Sequence, residues 1–387
     1  MIEFCFDIVC PYAWVASRRL AWLTEVTGLQ VQYRPILLGG VLRSVGGPDR
    51  PMDEMAPLKA EYTVRDVLRQ ARREGLELRY PADHPRRTVE AMRLLTAAPA
   101  ERVPALAQDL WEAYWSRGED LTDRAVLAGL AAAHGVELAA IDAPSTRARL
   151  RAATQEAVDA GVFGVPMLRS GQHRVWGSDR IVSFARDLGA QVEPALPRGP
   201  LEVYHDFSSP YSYLGVMTLL RSGASITLRP MLLGALFKSI GTPMVPIATF
   251  NPTKQRYAAI DLEAQARFRG FPFRFTDHFP LHTITALRVA LIEPATTEAL
   301  YLAAWADNRN IADPAVLRGV LDAAGFDGAA LIAGTSDPAI KSQLRENTEQ
   351  ASARGIPGAP GFIDAAGEVY WGQDRLDLIA YHESQGA

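Results

Sequence analysis

The sequence predicts an α/β protein built from two tandem domains. Three observations carry this. The chain has 387 residues, the length of about two ordinary domains. Its two halves repeat one another. Each half reads strand, helix, strand, then a block of helices, then strand, turn, strand, helix. The repeat is visible in Arg34-Pro35-Ile36-Leu37-Leu38-Gly39, which returns as Arg229-Pro230-Met231-Leu232-Leu233-Gly234. The same offset continues without a gap through Lys59 and Lys254, Tyr62 and Tyr257, Asp66 and Asp261, Thr88 and Thr283, to Arg93 and Arg288. Upstream, Asp7-x-x-Cys10-Pro11-Tyr12 matches Asp206-x-x-Ser209-Pro210-Tyr211. Near each end, Trp176-Gly177-Ser178-Asp179-Arg180 matches Trp371-Gly372-Gln373-Asp374-Arg375. The unit is too long for a solenoid repeat, so each copy is a domain. We place the first at 1–191, a proline-stiffened linker at 192–200 and the second at 201–387.

Element by element, 2–9 and 201–207 are apolar runs that open each copy as strands. Pro11 and Pro210 suit the first turn of a helix, carried on by 13–27 and 212–220. Second strands follow at 30–37 and 225–232. Helical spacing covers 55–73 and 254–269, then 101–117, 123–134, 298–308 and 313–325. Asp123 and Asp313 suit N-caps, and Glu101 and Glu298 a first turn. Each copy closes with strands at 167–169 and 174–176, or 361–364 and 368–371, and a helix at 179–188 or 374–383. A right-handed βαβ crossover makes the first two strands parallel. The hairpin extends the same sheet. This order is a thioredoxin-like core with a helical insertion. It puts the start of the first helix at the sheet's carboxyl edge, where open α/β sheets usually bind small ligands.

Composition narrows the functional classes. Hydrophobic residues at 48% and charged residues at 22% fit a globular chain and exclude a disordered or fibrous one. A net charge of −4 argues against nonspecific nucleic-acid or anionic-membrane binding. Cys5 and Cys10 are an odd number apart, so within one extended strand they face opposite sides, which argues against a disulfide. The N-terminus shows no signal-peptide pattern, and no apolar run reaches the ~20 residues of a membrane span. A cytoplasmic protein is expected. His278 and His282 are four apart, but Pro280 breaks the helix such a pair needs, so no metal site is expected.

Four features could carry chemistry. Cys10 or Ser209 stands just before the helix-initiating proline, where unpaired amides and the helix dipole stabilise an anion. A thiolate gains most there. A serine would instead donate a hydrogen bond to another group's thiolate. The plainer readings are a buried core cysteine and an N-cap serine. Cys10-Pro11-Tyr12-Ala13 lacks a resolving cysteine, so only a one-cysteine reaction with an external thiol remains. Gly164-Val165-Pro166 and Gly358-Ala359-Pro360 precede a strand at the place where thioredoxin-like folds carry a cis proline. Such a bond would present the main chain of Val165 or Ala359 to an extended peptide. Gly177-Ser178-Asp179 and Gly372-Gln373-Asp374 precede the last helix, where the aspartate is an N-cap by default or holds an α-amino group. Lys59 and Lys254 recur beside Tyr62 and Tyr257, as ligand-facing cations or as a solvated face. Asn251 lies one turn before Lys254, whereas the first copy has Ala56.

Together, Asp206-Phe207-Ser208-Ser209-Pro210-Tyr211-Ser212-Tyr213-Leu214, Arg229 to Gly234, Asn251-Pro252-x-Lys254-x-x-Tyr257-x-x-x-Asp261, Gly358-Ala359-Pro360 and Trp371 to Arg375 resemble the 2-hydroxychromene-2-carboxylate isomerases. These group with the kappa-class glutathione transferases and the DsbA-like thioredoxin fold. The resemblance spans both halves. It implies glutathione, or another low-molecular-weight thiol, as cofactor. Ser209 would then hydrogen-bond the thiol sulfur. Asn251 and Lys254 would border the pocket. Ala359, before Pro360, would pair by main chain with the cysteinyl unit, and Gln373 and Asp374 would hold the γ-glutamyl end. In the first copy Cys10, Lys59, Val165, Pro166, Ser178 and Asp179 take the matching places. Cys10 and Ala56 depart from the pattern, so the second copy is the more conventional site.

The implied activity is isomerisation of a conjugated aromatic or enone small molecule by thiolate addition, bond rotation and elimination. Two alternatives stand beside it. One is a thiol–disulfide oxidoreductase or transferase using Cys10. The other is a non-catalytic thiol- or peptide-binding protein. The fused copies are expected to pair as an internal pseudo-dimer, as members of this family pair as dimers.

Overall fold

The structure, a computed structural model, describes residues 1–385. It holds two four-stranded sheets, one per copy. In the first, β1 (Ile2–Phe6), β2 (Val31–Pro35), β3 (Met167–Ser170) and β4 (His173–Trp176) stand in the order β2-β1-β3-β4. β1 runs parallel to β2, with Phe4 opposite Tyr33, and antiparallel to β3, with Phe4 opposite Leu168. The second repeats this with β5 (Leu201–His205), β6 (Ile226–Pro230), β7 (Gly361–Ile363) and β8 (Val369–Trp371) in the order β6-β5-β7-β8. The opening strand is central in both sheets. Four of its five residues are buried in each copy, because a central strand is covered on both faces.

The chain divides into two compact units. Unit 1 comprises Met1–Glu54, Thr63–Glu193 and Asn251–Lys254; unit 2 comprises Met55–Tyr62, Pro194–Phe250 and Gln255–Ala387. The units therefore differ from the sequence halves by two short segments, each around the start of a long helix, Pro57–Arg73 or Pro252–Arg269. Within the predicted linker, residues from 194 onward belong to unit 2. The amides of Arg198 and Gly199 donate to the Glu383 carboxylate at 2.8 and 3.2 Å.

The helical blocks lie between β2 and β3 and between β6 and β7. Asp123 and Asp313 cap their helices as expected, accepting from Ala125 and from Ala315 and Val316. Glu298 falls in the first turn of Thr297–Trp305, but Glu101 precedes its helix, which starts at Val103. Two long helices, Pro144–Asp159 and Pro338–Ala353, were not expected. The helix predicted over 13–27 is broken into Pro11–Ser17 and Leu20–Thr27. The Ser17 hydroxyl turns back onto the Trp14 carbonyl at 2.6 Å and accepts from Gln108, which competes with the helical ladder. In the second copy the helix Pro210–Ser222 is continuous. Among the described residues no helix is long and apolar enough to cross a membrane.

Candidate functional site

The site is built where the opening strand turns into the first helix. In unit 2, Ser209 has extended backbone (φ −101°, ψ 116°) and Pro210 takes the first helical position. Ser209 Oγ accepts from the Ser212 amide at 3.1 Å and donates to the Ala359 carbonyl oxygen at 3.0 Å. One hydroxyl thus serves as N-cap and as the link to the loop before β7. The Ala359–Pro360 bond is cis, as is Val165–Pro166, matching the expectation for both loops. In unit 1 the Cys10 thiol donates to the Val165 carbonyl at 3.2 Å. The two copies therefore bring the same pair of positions together.

The two side chains differ in chemistry. Cys10 is 7% exposed, and burial pushes its thiol up to about 12, outweighing the lowering influence of the nearby Ala13 and Tyr12 amides. Its helix has seven residues, and the side chain makes no cap hydrogen bond. The stabilised thiolate expected at a helix start is not what this environment favours. Cys5 is also buried and raised to about 11, and both cysteines are free thiols.

Beneath each turn a buried aspartate ties three segments together. Asp206 Oδ1 accepts from the Ser208 amide at 2.9 Å and the Thr283 hydroxyl at 2.7 Å, and Oδ2 accepts from the Leu233 amide at 2.8 Å. Asp7 does the same with Val9, Thr88 and Leu38 at 3.1, 2.9 and 2.8 Å. Burial raises both carboxyls above the usual value, against the lowering effect of these donors. An indole closes the floor: Trp115 Nε1 donates to Ile8 and Trp305 Nε1 to Phe207, at 2.9 and 2.8 Å. Sequence reasoning gave these residues no role, although Asp7 with Asp206 and Thr88 with Thr283 recur in the repeat. The copies diverge just below. Phe6 packs against Trp111 with the rings tilted by 48° in unit 1, whereas His205 Nδ1 meets the Tyr301 hydroxyl at 2.9 Å in unit 2. Burial drives His205 down to about 3.

The loop before the last helix is held by a glycine that no other residue replaces easily. Gly372 has φ 101°, and a Cβ there would lie 2.5 Å from Asp374 Oδ1; Gly177 has φ 104° and a clearance of 2.7 Å from Asp179 Oδ1. Asp179 and Asp374 are not N-caps. They lie inside short 3-10 turns, Ser178–Arg180 and Gln373–Arg375, and each pairs with the following arginine, at 3.4 and 3.1 Å. Ser178 Oγ donates to Gln70 Oε1 at 2.8 Å. Gln373 Oε1 accepts from Arg269 at 2.8 Å, but its Nε2 is buried and has no hydrogen-bond partner among the described residues.

Asn251 Oδ1 caps the helix Pro252–Arg269 by accepting from the Lys254 amide at 2.9 Å. Asn251 and Lys254 fall in unit 1, and Lys254 Nζ lies 5.0 Å from the centre of the Trp176 ring. Lys59 falls in unit 2, with Nζ 5.1 Å from the Trp371 ring, and burial pulls its ammonium below the usual lysine value. By unit, Lys59 falls with Ser209, and Asn251 and Lys254 fall with Cys10.

The family model described as a DSBA-like thioredoxin domain matches residues 1–189 and again 200–382. Glutathione S-transferase kappa 1 of Homo sapiens is 29% identical over 216 residues, covering 51% of this chain and 94% of that protein. A 2-hydroxychromene-2-carboxylate isomerase of Pseudomonas putida is 25% identical over 193 residues, covering 49% of this chain and 94% of its own. Among solved structures, a 2-hydroxychromene-2-carboxylate isomerase matches 49% of this chain and 94% of its own, with 24% identity and a TM-score of 0.44.

Proposed function

Since the chain belongs to the DSBA-like thioredoxin family, twice over in tandem, we propose that it is a glutathione-dependent enzyme that isomerises a conjugated aromatic or enone small molecule. The relatives named as a glutathione transferase and an isomerase support this class. The observation that carries it is the placement of Ser209. Its hydroxyl stands at the start of a 13-residue helix and reaches the main chain beside Pro360.

The residues present fit a tripeptide thiol. Gln373 Nε2 is a buried donor without a partner among the described residues, on the loop expected to meet a γ-glutamyl group. Such an orphan costs about 1–3 kcal/mol unless a ligand satisfies it. Gln373 and Asp374 would hold that end, and Ala359 would pair by main chain. Bound glutathione supplies a nucleophilic sulfur whose reversible addition lets a conjugated double bond turn. The protein positions the thiol and stabilises negative charge. With the thiol bound, the Ser209 O–H would turn from the Ala359 carbonyl to donate a hydrogen bond to the sulfur, while the Ser212 amide holds the hydroxyl oxygen. Cys10 as an oxidoreductase centre is less supported, because its thiol is buried and held protonated.

Calorimetric titration of the full chain with glutathione, paired with turnover of an enone substrate, tests this. Saturable binding and thiol-dependent turnover, both impaired by Ser209→Ala, are expected. Saturable binding with no turnover across enones and unsaturated aromatic acids would leave a binding protein instead.

A further inference from the structure

The opening strands allow a comparison between the copies away from Ser209 and Cys10. Sheet register fixes the correspondence. Cys5 stands opposite Arg34 and Met167, and Tyr204 opposite Arg229 and Gly361. Glu3 faces Arg169 where Glu202 faces Ile363. Strand residues two apart share a face, so Glu3 and Cys5 point the same way, as do Glu202 and Tyr204.

In unit 2 this place is full. Tyr204 is completely buried and packs with Met231, Ala351 and Ile363. The corresponding residues of unit 1 are Cys5, Ile36, Ala157 and Arg169, and they line a cavity of about 140 Å³. Cysteine in place of tyrosine removes a whole phenol ring. Arg169 does not refill the space, because its guanidinium is drawn to Glu3 at 3.4 Å.

The wall of the cavity is charged but balanced. Arg34 pairs with Glu156 at 2.9 Å and lies 3.8 Å from Glu3. The two cations and two anions that line it therefore cancel. Burial raises the Cys5 thiol to about 11, so it stays neutral too. An engineered cavity of about 150 Å³ is large enough to take up benzene. Here the sulfur offers a soft contact to a ring, and a guanidinium is attracted to an aromatic face.

We propose that unit 1 binds one small neutral aromatic molecule, a phenol or a ring of similar size, in the cavity over Cys5, where unit 2 carries the ring of Tyr204. None of the lining residues belongs to the candidate thiol sites, so the proposal stands apart from that reading. A charged ligand gains little there, because desolvating it is costly and the charges on the wall already have partners.

The test uses the full chain labelled with carbon-13 at the cysteine Cβ atoms. The sequence holds only two cysteines, so Cys5→Ser and Cys10→Ser assign both signals. Titration with para-fluorophenol is expected to shift the Cys5 signal along a saturating curve. A Cys5 signal that stays still, drifts without saturating, or stays still while Cys10 responds overturns the proposal. Benzoate and benzylamine should bind more weakly than para-fluorophenol at the Cys5 signal; equal or tighter binding of either overturns the neutral class. The fluorine signal of the ligand gives a second reading. Cys5→Tyr, which copies unit 2, should remove the saturable broadening that the parent chain causes. Broadening that persists unchanged in folded Cys5→Tyr places the ligand elsewhere and overturns the site.

Discussion

The Ser209 hydroxyl donates to the Ala359 carbonyl oxygen at 3.0 Å, across 150 residues of sequence, while accepting from Ser212 three residues away. A local cap and a long-range tie share one oxygen. Cys10 and Val165 reproduce the tie without the cap.

Ser209→Ala is expected to lower glutathione-dependent turnover by about 10²–10³. The lost cap should also lower stability by about 1 kcal/mol. Steady-state kinetics and urea melts separate the two effects. Turnover that survives intact in Ser209→Ala but vanishes in Cys10→Ala would reverse the assignment of the two sites.

Cys10 should resist alkylation in the native chain. A thiol pushed up to about 12 is ionised to only about one part in 10⁴ at pH 8. Iodoacetamide labelling with mass spectrometry should find Cys10 protected at pH 8 and modified after unfolding. Rapid native labelling would contradict the burial argument.

His205 predicts an acid-dependent loss of stability. Its folded value of about 3 lies below the unfolded value of about 6.5, so the unfolded chain binds the extra proton. Stability from keeping this imidazole neutral is complete above pH ~6.5 and drains away as pH falls towards ~3. His205→Phe, which copies Phe6 of unit 1, should flatten the melting temperature in that window. Asp7 and Asp206 are shifted upward and act in the opposite sense, so only the difference between variant and parent isolates the histidine. An unchanged acid slope in His205→Phe would refute the assignment.

Asp206→Ala should destabilise more than Asp206→Asn. Alanine leaves the Ser208 and Leu233 amides and the Thr283 hydroxyl without their acceptor. Each orphan costs about 1–3 kcal/mol, with overlap among neighbours. Asparagine keeps one acceptor oxygen and carries no charge, which suits a carboxyl already biased towards its neutral form by burial. Chemical denaturation of both variants gives the order; equal losses would show that the clamp is not what the aspartate provides.

Much of this was legible in the sequence because it is local. Pro11 and Pro210 start helices, Asp123 and Asp313 cap them, and the strand order follows from the repeat and the handedness of the crossover. The hydrogen bonds from Cys10 to Val165 and from Ser209 to Ala359 are not among the sequence's expectations, which give those carbonyl-bearing residues to a ligand. Other features had no local signal. The helix Pro144–Asp159 buries Thr146, Leu150, Thr154 and Ala157, two of them polar, so no apolar stripe announces it. At the break after Ser17 the hydroxyl accepts from Gln108, far along the chain, a contact that no local pattern encodes. The grouping of Lys59 with Trp371 depends on tertiary placement, which neither spacing nor repeat order encodes. The aspartate clamp was recorded by the repeat as Asp7 with Asp206 and Thr88 with Thr283, but as a pattern without a purpose.

The central position of β1 and β5 has a consequence during synthesis. Each opening strand gains its second neighbour only when β3 or β7 is made, since Phe4 pairs with Leu168 and Val203 with Phe362. Until then one side of an apolar ribbon stays open to other nascent chains. The ribosome must therefore release nearly a whole copy before that copy can shield its own first strand, and it must do so twice per polypeptide.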